Sequence, residues 1–418
     1  MWSRWKTAAL CALSVALLTA CGQTERLQSE TPVEHTFTDV SVHDPAVVKG
    51  EDGAYYIFGS HLAVAKTEDL MNWEYINDGM KAHSSVIPDV YTAMAGAFAW
   101  SRSDTFWAPD VIALQDGKYH MYYCNCQGSE PQSCTGTAVS DAVAGPYVNQ
   151  GLFLYSGAGA DEMNGFDSVY QATRDPNAVD PCVFFDARGR LWMIYGSYSG
   201  GIFAKELDPS TGLPLDSSGY GTKLLGGSHL RIEAPYVVYN PDTGYYYLFL
   251  SFGGLDSDGG YNVRVVRSEN PDGPYYDPMG QDMTGCKGPS GSTFSDATAA
   301  NYGAKLMGGY RFQWQEGELG EDRQGYLSPG HNSCLYDGES GKYFMIHHTR
   351  FEKRGEEHEV RVRQMFFNAD GWPVLAPYRY AGETAGPVSA EEIPGTYKLI
   401  QHGRDINAEA HLSVNITL

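Results

Sequence analysis

The chain has 418 residues, of which 42% are hydrophobic, 13% aromatic and 19% charged, enough for one large domain with a deep core or two ordinary ones. That composition excludes a disordered chain, a coiled coil and a multi-span membrane protein. A formal charge of -22 repels phosphate backbones, so nucleic acid is not an expected partner, whereas a neutral ligand meets no such barrier.

At the N-terminus, Arg4 and Lys6 precede an apolar run over 8–18 that is too short to span a bilayer and reads as the core of a signal peptide. The run ends Leu18-Thr19-Ala20-Cys21, which resembles the bacterial lipobox, where the cysteine is lipidated after cleavage. The alternative is an ordinary cleaved signal with a chance cysteine. Residues 1–21 are expected to be a lipoprotein signal with Cys21 as the lipidation site, and polar residues 22–36 a tether. That places the protein at the cell envelope, as a monomer touching membrane only through its lipid. Of eight cysteines, Cys11 leaves with the signal and Cys21 is lipidated, which leaves six. Export permits disulfides, but spacing fixes no pairing. Cys124-x-Cys126 lacks a second pair at metal-ligand spacing, so zinc is not expected.

Five later segments share one grammar: a proline beside a small or acidic residue, an apolar strand, a glycine turn, then an aromatic strand. Their prolines are Pro45, Pro109, Pro181, Pro235 and Pro329. The turns Asp52-Gly53, Asp116-Gly117, Arg188-Gly189, Thr243-Gly244 and Ser340-Gly341 are hairpin signals. Further strand signals follow, as at 62–66, 136–140 and 263–267, so each unit is three or four antiparallel strands. The spacing is too irregular for a solenoid and suits blades with variable loops. The fold class is all-β: a five-bladed β-propeller over 37–386, with a short C-terminal β segment at 387–418, too small to bury a core of its own. A β-sandwich with a coincidental proline pattern is the alternative. The Gly/Ser/Thr-rich stretch 281–327 reads as an insertion between blades four and five that covers or shapes a site.

If each motif opens an innermost strand, the prolines ring the axis at one end and bring Asp44, Asp180 and Glu233 together. Crowded carboxylates spread their pKa values apart, which suits a reaction needing an acid and a base at one pH. Glycoside hydrolysis is the leading case. The plainer reading, that Asp44 and Asp180 only shape turns before proline, weakens when three acidic residues recur across one repeat. Trp107 offers a flat face for a sugar, and Phe106 beside it is a second candidate. Gly136 would allow close backbone approach to a ligand.

His43-Asp44-Pro45, Val179-Asp180-Pro181 and Glu233-Ala234-Pro235-Tyr236 resemble, in order, three motifs of glycoside hydrolase family 43. Phe106-Trp107-Ala108-Pro109-Asp110-Val111, Asn177-Ala178-Val179-Asp180-Pro181, Gly330-His331-Asn332-Ser333 and 355–374 are similar to its arabinanases. The resemblance covers about 35–385. It implies inversion at α-1,5-linked arabinofuranose in arabinan, with Asp44 activating water, Glu233 as general acid and Asp180 raising the pKa of Glu233. It also implies that Asn177 and the loop Gly196-Ser197-Tyr198-Ser199 line the site, and that His331 belongs to a calcium site. Exo-acting arabinofuranosidase, β-xylosidase and a non-catalytic glycan-binding propeller stay open beside the endo-arabinanase. Asp256-Ser257-Asp258-Gly259-Gly260 lacks the distal glutamate of a calcium loop and reads as a turn, and His347-His348 reads as structural.

Overall fold

Each proline motif opens the first strand of a sheet, and the computed structural model describes this for residues 35–289, 296–314 and 325–418. The signal peptide, Cys21 and nearly all of the tether lie outside the described residues. The four-stranded sheets run from Ala46–Lys49 to Glu74–Asp78, from Trp107–Ala113 to Val148–Ser156, from Cys182–Phe185 to Thr222–Leu225 and from Ile232–Asn240 to Ala304–Met307. All pair antiparallel between neighbours in sequence. The turn glycine between strands one and two has φ of 69–83° in all five sheets (Gly53, Gly117, Gly189, Gly244 and Gly341), a left-handed conformation that favours glycine.

The first strands of the five sheets touch in chain order, and Tyr326–Asp337 of the fifth returns to Ala46–Lys49 of the first. This ring is the five-bladed propeller. Lys49 Nζ meets Asp337 Oδ1 at 2.8 Å across the closure. The segment before blade one is held on blade five, where Val360 N–H donates to Val40 O at 3.0 Å. Val40 and Val42 are buried there with Phe344, Ile346 and Val362, each contributing about 1.5–3 kcal/mol when fully buried.

The stretch 281–327 is not simply an insertion between blades. Ala304–Met307 pairs with Val263–Val265 as the outermost strand of blade four, because its side chains complete that blade's apolar face. The fifth sheet has six strands: Tyr310–Arg311 pairs with Tyr326, and His411–Leu412 adds in parallel. Thr396–Leu399 and Val414–Thr417 form a two-stranded sheet beyond it. This C-terminal segment packs on blade four, where Arg264 Nη2 donates to Arg404 O at 2.7 Å and Lys305 Nζ to Asp405 O at 2.9 Å.

Asp110 ties blades two and three together. Its buried carboxylate accepts from Val183 N–H at 2.6 Å and Val111 N–H at 3.0 Å. Burial pushes its pKa up to about 7, against the pull of those two amides. The folded state therefore holds a proton that the unfolded chain releases near pH 4, and stability falls as pH rises between those values. Asp110→Asn keeps an acceptor and removes the charge, so the drop in Tm from pH 4.5 to 7.5 should be smaller in the variant than in the parent protein, as calorimetry would show.

Candidate active site

The residue before each ring proline is disfavoured in the right-handed helical conformation, because the proline ring clashes with its backbone and Cβ. Four of the five take left-handed backbone instead: Asp44 (φ 57°), Asp180 (φ 54°), Ala234 (φ 56°) and Ser328 (φ 44°). For non-glycine residues this costs of order 1–3 kcal/mol each. It turns the chain sharply at the axis. Glu233 is one residue ahead of that position, so it reaches the same cleft from an offset, next to a register shift between Glu233 and Tyr236.

Asp44, Asp180 and Glu233 line a cleft of about 410 Å³ at the ring's end, with Trp107, His61 and His331. All three carboxylates are buried. Asp44 Oδ1 lies 2.7 Å from His43 Nδ1 and 2.9 Å from His331 Nδ1, while Oδ2 accepts from the Ser60 hydroxyl. Burial alone would raise its pKa. The charges and hydrogen bonds of His331 and His43 outweigh that and hold the carboxyl well below the usual range. His331 responds in the opposite sense: burial disfavours its charge, but Asp44 and Asp180 lift it to about 9.

Asp180 differs from Asp44. Burial pushes it up to about 7; His331 pulls it down, while Glu233 and Asp44 repel its charge. Ala234 N–H donates to Asp180 Oδ2 at 3.2 Å. Glu233 is fixed at both oxygens, since Tyr261 OH donates to Oε1 and Ser197 Oγ to Oε2, each at 2.8 Å. One end of the cleft thus holds a carboxylate kept ionised by imidazoles. The same cleft holds Asp180, a carboxyl that keeps its proton to about 7.

Several expected site residues lie elsewhere. Phe106 is 1% exposed and packs edge-on against Tyr123 at 5.4 Å; adjacent strand residues face opposite ways, so only Trp107 reaches the cleft. Gly136 gives room to protein, not ligand: a Cβ there would stand 2.5 Å from the Tyr123 ring and 2.6 Å from Gly151 O. Asn177 is buried and accepts from Ser156 Oγ at 3.3 Å behind the ring. Of the 196–199 loop, Ser197 meets Glu233, while Tyr198 OH donates to Gly253 O at 3.3 Å and Ser199 is buried, both outside the cleft lining. The six described cysteines are buried and unpaired.

Residues 256–260 do form a turn, closed by Gly259 N–H to Asp256 O at 2.8 Å. His347 is structural, its pKa taken to about 3 by burial and by Arg363. His348 is not merely structural, because its Nδ1 accepts from Asp44 N–H at 3.3 Å. Tyr261, Ser60 and His348 carried no motif of their own. The signal for Tyr261 was Gly330, where a Cβ would fall 2.1 Å from the Tyr261 ring.

A cation has a fitting place near His331. This residue also lines a cavity of about 20 Å³ on the axis, with Asp44, Asp180 and Asn332, whose buried Oδ1 has no hydrogen-bond partner among the described residues. That volume admits one water-sized species, and Asp44, Asp180 and Asn332 carry side-chain oxygens, the donor type calcium prefers. The cluster of His43, Asp44 and His348, with ligand atoms within 4.8 Å of one another, has the nitrogen donors of a softer metal.

The family described as "Glycosyl hydrolases family 43" matches residues 34–300, and one described as "C-terminal lipocalin-like domain" matches 377–418. The chain is 53% identical, over 96% of its length and 84% of the relative's, to the extracellular endo-α-(1→5)-L-arabinanase 2 of Bacillus subtilis (strain 168). It superposes on the crystal structure of a family 43 glycoside hydrolase from Bacillus licheniformis with a TM-score of 0.87 and 51% identity, covering 92% of this chain and 85% of that one. The crystal structure of endo-1,5-α-L-arabinanase from Thermotoga petrophila RKU-1 gives 0.85 and 47%, with the same coverage.

Because Gly136 faces Tyr123, Gly136→Ala should act on stability, not on the cleft. Thermal unfolding should show a loss of about 1–3 kcal/mol, the cost of overpacking, with KM unchanged.

Proposed function

The chain belongs to glycoside hydrolase family 43, and from that premise we propose that it cleaves α-1,5-linked arabinofuranose chains of arabinan internally, with inversion. The observation that carries the reading is the unequal protonation of carboxyls in one cleft: Asp44 held ionised, Asp180 raised to about 7 beside Glu233. Asp44 takes a proton from water as the water oxygen attacks the anomeric carbon. Glu233 gives its proton to the leaving oxygen as the glycosidic bond breaks. Asp180, which accepts from Ala234 N–H next to Glu233, is the neighbour that positions the acid. Tyr261 and Ser197 fix the direction of that proton, and Trp107 offers a face to a furanose ring. The endo mode draws its support from the named activities of the relatives.

Calcium belongs to the same proposal, with His331 and Asn332 at the axial cavity as the residues that would hold it. When bound it supplies fixed positive charge that favours ionised carboxylates, and His331 gives up its proton to bind. Export agrees with the extracellular naming of the relatives. The finer proposals are a lipid anchor at Cys21 after cleavage of 1–21, attachment to the cell envelope and a monomeric state.

A product time course on linear, debranched α-1,5-arabinan tests the reading. Early release of mixed oligosaccharides, abolished in Glu233→Ala and reduced by a chelator until calcium is restored, is the expected result. Arabinose alone would establish exo attack, and no products here or on arabinoxylan would remove the assignment. Burial and the charges of Glu233 and Asp44 hold Asp180 at about 7, so kcat/KM should change as pH passes that value, and Asp180→Asn should remove that dependence. Tyr261→Phe removes a hydrogen bond to Glu233, so kcat should fall roughly two- to tenfold with KM little changed in steady-state kinetics.

A further inference from the structure

A second groove, of about 480 Å³, lies at the other end of the propeller, between blades four and five. Glu233 stands at the start of the strand Ile232–Asn240, and Tyr245 opens the next strand beyond its far end. The groove is thus separated from the cleft by that strand, roughly 25 Å. Its walls are Tyr245, Trp372, Arg267 and Tyr276, with Glu269 and Asn270 at the rim.

Arg267 is held as a rigid plate. Its guanidinium carbon lies 4.3 Å from the ring centres of both Tyr245 and Trp372, and Nη1 donates to Asp370 O at 2.9 Å and Gly371 O at 3.1 Å. Among the described residues, its Nε and Nη2 have no partner. Tyr276 is fixed beside it, because the two residues exchange backbone hydrogen bonds at 2.9 and 2.8 Å, which puts their side chains on one face. The Tyr276 ring is 41% exposed and packs on no other ring among the described residues. Glu269 and Asn270 are exposed as well.

An exposed aromatic plate beside a preorganised donor and free planar acceptors is the chemistry that takes a sugar ring: stacking on its C–H face and hydrogen bonds to its hydroxyls. Charge narrows the class. Arg267 is offset by Glu269 and Asp277, and the chain's -22 repels polyanions. We propose that this groove is a non-catalytic binding site for a neutral polysaccharide chain, anchored on Tyr276 and Arg267. That the polysaccharide is the substrate of the cleft rests on the function proposed above. One polymer held at both places gains effective concentration without any change in the chemistry.

The experiment is affinity electrophoresis through gels containing linear arabinan, galactan or xylan, with Glu233→Ala present throughout to prevent digestion. Tyr276→Ala should weaken retention on arabinan about tenfold, and Tyr276→Phe, which keeps the ring, should not. In otherwise unaltered protein, Tyr276→Ala should raise KM on the polymer several-fold and leave kcat/KM on arabinotriose unchanged. Equal retention of Tyr276→Ala and its parent in every gel would overturn the proposal. Tyr276-dependent retention on galactan or xylan, in a protein that does not hydrolyse arabinan, would uphold the groove while removing the arabinan reading.

Discussion

The structure turns on a steric rule at five prolines. A residue before proline is disfavoured in right-handed helical backbone, and at four ring positions the chain takes a left-handed residue. The strain is repaid by the ring itself: each kink is locked between two neighbouring first strands and feeds a fully paired blade. The same kinks deliver Asp44 and Asp180 to the axis, where they are largely removed from solvent. Fold and chemistry therefore share one device, and the backbone cost falls where the function is.

Burying three carboxylates on one axis is strongly unfavourable unless charge is supplied or protons are kept. Both remedies are present, and they are unevenly spread. Asp44 receives two imidazoles and a hydroxyl and remains ionised. Asp180 receives the Ala234 amide and keeps its proton to about 7. Since His331 faces the carboxylates from one side and the axial cavity from the other, a cation in that cavity would do the work its proton does otherwise. The asymmetry is what an acid and a base at a common pH require.

Legibility in the sequence followed the range of each interaction. The blades were readable because strand, turn and aromatic strand recur locally, and the glycine turns carry their own conformational demand. Asp44, Asp180 and Glu233 were readable because proline marks their neighbours. The partners that tune them were not. Ser60 and Tyr261 meet their carboxylates from later segments of the same blade and His348 from the neighbouring blade, and no local pattern declares these contacts, while Ser197 was reached only through the family resemblance. Phe106 and Trp107 show the complementary failure: both are aromatic at a ring motif, and only strand alternation separates core from cleft. Gly136 was read as room for a ligand because a glycine records close approach without recording what approaches.

The two ends of the propeller obey different physics. At the axis end, groups are buried, paired and strained, and small displacements alter protonation. At the far end, Tyr276 and the stacked Arg267 are held by backbone pairing and carbonyl contacts. Such a surface tolerates substitution without unfolding the ring or altering the cleft. A propeller can thus bind a long, flexible polymer in two places whose demands do not conflict, because the inner strand that separates them carries no polar group whose state must change in between: from Pro235 to Tyr239 its side chains are apolar or aromatic and pack between blades.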